Sequence, residues 1–131
     1  MRRILLSIGG VVQVLLAGLH VFMFFGMERA KGIPSGLKPL LHIFNAAVLT
    51  VVLFFAYVSF FQRRALAETP LGRAVCWFIA LFYLQRGLTE LVVSGLNPIM
   101  LGAMLAIAAL YAWAAVPSRA PLSTASVGQA A

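Results

Sequence analysis

At 131 residues the chain has room for one domain, and a water-soluble domain of that size keeps a large charged surface. This chain is 63% hydrophobic and only 10% charged, against about 25% charged in ordinary globular proteins, so lipid must solvate most of its surface and a water-soluble fold is excluded. The net charge of +7 comes from Lys and Arg placed beside apolar runs rather than in a stripe interleaved with exposed aromatics; it reads as topogenic charge at a lipid bilayer, not as a nucleic-acid surface.

The first apolar stretch runs over about 4–27. Met1-Arg2-Arg3 before it and Ala17-Gly18 within it would suit a secretory leader. Its uncharged run is too long for one, and no A-x-A cleavage pattern follows, so it is read as a retained helix. Gly32, Pro34, Gly36 and Pro39 predict a loop, after which the second stretch covers 39–61. Glu68, Thr69 and Pro70 break the next connection, and the third stretch covers 73–96. Asn97 followed by Pro98 is an N-cap with a first-turn proline, which predicts a tight turn over Ser94 to Pro98 into a fourth stretch over 98–116. Pro117 ends it. Each stretch meets or approaches the ~20 residues that a hydrocarbon core of ~30 Å requires. The remainder, 118–131, holds almost no bulky apolar residue and is expected to be disordered. The predicted fold class is all-α, an integral membrane bundle of four transmembrane helices.

Basic residues set the expected orientation. Arg2, Arg3, Arg63, Arg64, Arg73 and Arg119 make six at one face, against three at the other, Arg29, Lys31 and Lys38. The richer face is predicted to be cytoplasmic, placing both termini on the cytoplasmic side of a cell membrane. Tyr57, Trp77, Tyr111 and Trp113 come out near that face, where amphipathic rings favour the headgroup boundary.

The third stretch carries Arg86 and Glu90, two formal charges in a segment that has to cross lipid. Such a charge costs from about 2.5 kcal/mol on insertion scales to well over 10 in simulations of isolated helices. Four residues apart, they share a helix face and can pair. The pair either locks the helix to its neighbours or serves a polar ligand, an ion or a proton. Counting 1.5 Å per residue from the outer helix ends puts His42 at roughly 6 Å depth, Asn45 and Glu90 at 10 Å, His20 at 12 Å and Arg86 at 16 Å. Gly10, Gln13, Ala17, His20 and Phe24 follow helical spacing on the first helix, as do His42, Asn45 and Leu49 on the second. His20, His42, Asn45, Arg86 and Glu90 are therefore the candidate ligand-binding residues, lining one outer-half pocket. On the fourth helix, Gly102, Ala106 and Ala109 form a small-residue stripe, expected to pack inside the bundle, with a homodimer seam as the alternative. The single cysteine, Cys76, permits no internal disulfide or CxxC chemistry and is expected to be a packing residue.

No metalloprotease, nucleophile-elbow or phosphate-loop motif occurs, and no metal site is predicted. The reading that needs the fewest special features is a noncatalytic accessory or scaffold protein, partnered with the bilayer and with another membrane protein or a second copy. The alternative is a binder or carrier of a small polar or amphipathic molecule, such as a quinone or lipid headgroup, at the outer cluster. In size and helix number the chain resembles the small multidrug transporters. It departs from them where their working carboxylate lies, because the first helix has no acid within its span and Glu90 is accompanied by Arg86. In architecture alone, four helices with two histidines are similar to haem-bearing membrane anchors and small b-type cytochromes. That resemblance would imply haem held by His20 and His42 and is the least supported alternative; no cofactor is predicted.

Overall fold

The computed structural model describes residues 2–93, 95 and 97–117, with elements α1 (Arg2–Arg29), α2 (Lys38–Phe61), α3 (Arg63–Glu68), α4 (Pro70–Val93) and α5 (Pro98–Ala115). The fold is all-α, and α1, α2, α4 and α5 are four helices long and apolar enough to cross a membrane. Even the 18 residues of α5 extend about 27 Å, close to a hydrocarbon thickness. The 118–131 segment, expected to be disordered, lies outside the described residues, as do Ser94 and Leu96 of the expected turn.

Two capped prolines punctuate the chain. Thr69 Oγ1 accepts from the Gly72 amide at 2.9 Å and Pro70 fills the first helical position, so α4 starts ahead of the expected residue 73. It also ends earlier than expected, at Val93 instead of 96. Asn97 caps α5 as expected, its Oδ1 accepting from the Met100 amide at 3.2 Å with Pro98 in the first turn. Gly95 supplies the left-handed φ of +77° in this connection. The six-residue α3 is absent from the sequence reading because it is too short to show a hydrophobic period.

The long helices form two hairpins, α1 with α2 and α4 with α5, and α1 also packs on α5. The short α3 closes the Arg-rich end, touching all four long helices with Leu66 buried beneath it. Tightest packing lies in that half of the bundle, around Leu6, Phe55, Cys76, Ile79, Tyr83 and Tyr111. Glycine permits the closest approaches: a Cβ at Gly9 would come 2.7 Å from the Tyr111 hydroxyl, and one at Gly10 would come 3.0 Å from the Phe60 ring. Polar bonds cross the same core, with Ser59 Oγ 2.6 Å from the Tyr111 hydroxyl and the Tyr83 hydroxyl donating to Gln13 Oε1.

Only 28–33% of the most apolar window of each long helix is buried, so side chains such as Leu15, Phe22, Ile43, Val92 and Ile99 need lipid around them. The small-residue stripe belongs to this lipid-facing surface, contrary to expectation. Gly102, Ala106 and Ala109 are exposed, and nothing lies within 4 Å of where a Gly102 Cβ would sit. The interior face of α5 is instead Met104, Ile107, Ala108, Tyr111, Ala114 and Ala115. Tyr111 also departs from the expected boundary ring; it is fully buried because its hydroxyl finds Ser59 inside. Trp77, Trp113 and Tyr57 remain exposed.

Candidate functional site

Toward the end opposite α3 the packing loosens. Beyond Ala17 on α1 and Gly87 on α4, and ahead of Asn45 on α2 and Met104 on α5, no described residue of these helices is buried. The space left there is a cleft. Its enclosed part, about 90 Å³, is bounded by all four long helices, with His20 and Met23 from α1, Val48 from α2, Tyr83 and Arg86 from α4, and Met104 from α5. His20, Met23, Val48 and Arg86 also line a wider cavity of about 280 Å³ whose other walls are Met27, Leu41, Phe44 and Asn45. The two spaces share those four side chains and so lie side by side along α1 and α4. A depression of about 480 Å³ on the outer flank of α4 is larger, but a single helix walls it and its lining from Leu81 to Val93 is almost wholly apolar.

Three of the five expected residues thus meet at the cleft. Arg86 projects from α4 with its side chain about half exposed, and its Nη1 donates to Glu90 Oε2 at 2.7 Å, the ion pair anticipated from their spacing. Asn45 is buried, its Nδ2 donating to the backbone carbonyl of His20 at 2.9 Å, which ties α2 to α1. His20 lies on the cleft wall with Nδ1 2.9 Å from the Leu16 carbonyl. A carbonyl only accepts, so Nδ1 is the protonated nitrogen, and in the neutral ring Nε2 keeps its lone pair. Gly87 helps position Arg86 by bringing the next turn of α4 against Leu101 and Met104, 3.3–3.4 Å from where its Cβ would stand.

The other two residues are placed differently. Glu90 reaches the cleft only through Arg86 and is not among its lining side chains. His42 stands apart at the helix ends, its ring 4.5 Å from that of Phe24 and its Nε2 2.8 Å from Glu28 Oε1, without hydrogen-bond alignment. The expected hydrogen bond from Arg86 or Glu90 to His20 or Asn45 is not formed among the described residues, since Arg86 and Glu90 satisfy each other and Asn45 is held by backbone. His20 and His42 do not face one cavity. No group of three or more His, Cys, Asp or Glu side chains converges as a metal site among the described residues.

Sequence reasoning passed over Tyr83, which forms the floor of the cleft and links it to the buried Gln13. Gln13 Nε2 has no acceptor in bonding geometry, although the Tyr111 hydroxyl lies close by. A polar side chain on the small-residue face of α1 was the available signal, because a buried amide requires a partner. Glu28 was also missed as the partner of His42; it lies at the helix end, where a charge is unremarkable.

No family model, curated protein or solved structure compared with this chain matches it.

Proposed function

We propose that this protein is a noncatalytic binder or carrier of a small amphipathic molecule, held in the cleft between its two helical hairpins. The observation that carries this reading is that His20 of α1 and Arg86 of α4 line the same two adjoining spaces. Ionisable groups at membrane depth are costly, and pairing with Glu90 leaves the Arg86 side chain half exposed while it lines the cleft. Met23, Met27, Leu41 and Phe44 supply the apolar remainder of the lining, the composition of a small-molecule site. The six-to-three distribution of basic residues supports insertion in a cell membrane with both termini cytoplasmic. The cleft would then open on the opposite side.

The test is the organic extract of protein purified in mild detergent, compared between wild type and a His20→Leu/Arg86→Leu/Glu90→Leu variant. An amphipathic compound present in near-stoichiometric amount with wild type and lost from the variant supports the reading. Identical extracts would reject it.

The accessory-protein reading keeps one observation of its own, the outward stripe of Gly102, Ala106 and Ala109, which permits close approach of another transmembrane helix. Gly102→Leu/Ala106→Leu should then release a partner or dissociate a dimer while leaving the bundle folded.

A further inference from the structure

The hydrogen-bonding inventory of the cleft narrows what it can hold. Of its lining groups, His20 presents an acceptor at Nε2, because Nδ1 is committed to the Leu16 carbonyl. Arg86 presents donors, because only its Nη1 is engaged with Glu90. Asn45 contributes little, with its amide already bound to the His20 carbonyl. Charge is balanced as well: Arg86 and Glu90 sum to zero, and an anion entering the space would have to compete with Glu90 for the guanidinium in a medium that screens poorly. One acceptor and a charge-balanced donor suit a group that both donates and accepts while carrying no charge, namely a hydroxyl. The rest of the space is apolar and, at about 280 Å³, has room for a ring or a short chain segment.

We infer that the cleft selects an uncharged lipophilic molecule bearing a hydroxyl group, a phenol or lipid alcohol, whose O–H donates to His20 Nε2 and whose oxygen accepts from Arg86. This rests on the cleft being a binding site and adds the chemical class of its ligand. The hydroxyl lies at the depth of Arg86 and the apolar part lies among Met23, Met27, Leu41 and Phe44. A molecule lacking the hydroxyl hydrogen leaves His20 Nε2 unsatisfied, and one bearing a negative charge disrupts the Arg86–Glu90 pair.

The full chain in phosphatidylcholine nanodiscs, dialysed against 4-octylphenol, 4-octylanisole or octyl phosphate, tests this, with empty nanodiscs correcting for partition into lipid. Wild type should retain octylphenol about tenfold more tightly than octylanisole, the scale of one well-made hydrogen bond. His20→Leu should abolish that preference by weakening the phenol alone. Equal retention of phenol and anisole would overturn the hydroxyl preference while leaving the cleft as a binding site. Tighter retention of octyl phosphate would do the same and identify an anionic ligand instead. Retention of no probe above empty nanodiscs would remove the binding-site reading itself, and this inference with it. The ligand comparison on wild type needs no variant to fold.

Discussion

Replacing Gly72 by alanine probes how α3 is locked onto the bundle. The added methyl would lie 2.1 Å from the Ala65 carbonyl oxygen, 2.4 Å from the Leu66 Cα and 2.7 Å from the Ala65 carbonyl carbon. All three are backbone atoms, so no side-chain rotation relieves the clash. Ordinary contact between carbon atoms is about 3.5–4.0 Å, so α3 and the first turn of α4 must separate by about 1 Å. That movement lifts Leu66 from its buried position and strains the links from Glu68 to Arg3 and Arg64. The expected cost is about 2–3 kcal/mol, in the upper part of the range for overpacked sites. Gly102→Ala is the control: nothing lies within 4 Å of its added methyl, and it should gain about 0.5–1 kcal/mol from helix propensity alone. Reversible unfolding in mixed micelles, followed by far-UV circular dichroism, would compare the two. A Gly72→Ala protein as stable as the Gly102→Ala control would refute the close packing of α3 on α4.

In the core, Tyr111→Phe or Ser59→Ala should each cost about 1–3 kcal/mol, and the double variant less than their sum, because each single change orphans the surviving hydroxyl. The same unfolding assay gives the cycle, and strict additivity would show that the two hydroxyls have other partners. Arg86→Leu and Glu90→Leu should each destabilise by about 1–3 kcal/mol, between exposed and buried pairs, with the double variant milder than either; additive losses would dissolve the pair. Glu68 is held below the usual carboxylate range by its hydrogen bonds to Arg3 and then Arg64. Its contribution to stability is therefore present above the ordinary carboxylate value and is lost as pH falls through the lowered one, and Glu68→Gln should flatten that acid limb in pH-dependent melting. A reporter active only in the cytoplasm, fused to Ala131, should be active; activity of a periplasmic reporter there would invert the orientation.

The four spans and the Asn97-Pro98 cap were legible because they are local: length, Pro at a first turn and a side-chain cap act within a few residues. The Arg86–Glu90 pair was legible for the same reason, since four-residue spacing in a helix brings two side chains together wherever the helix goes. Only the tertiary structure decided which faces are inside. In water an interior stripe stands out against a polar one, but a helix surrounded by lipid is apolar on both sides, so its period carries little information. α5 is the plainest case, where the conspicuous Gly102, Ala106 and Ala109 stripe faces outward while Ile107 and Tyr111 face in. Of the residues that helical spacing put on interior faces, the amides Gln13 and Asn45 are buried while Phe24 is exposed, because an amide in lipid must find a partner and a phenyl ring need not. Which partner an amide finds depends on how the helices meet. That is why Asn45 is bound to the His20 backbone rather than to Arg86, why His42 stands with Glu28 outside the cleft, and why the cleft has Tyr83 as its floor.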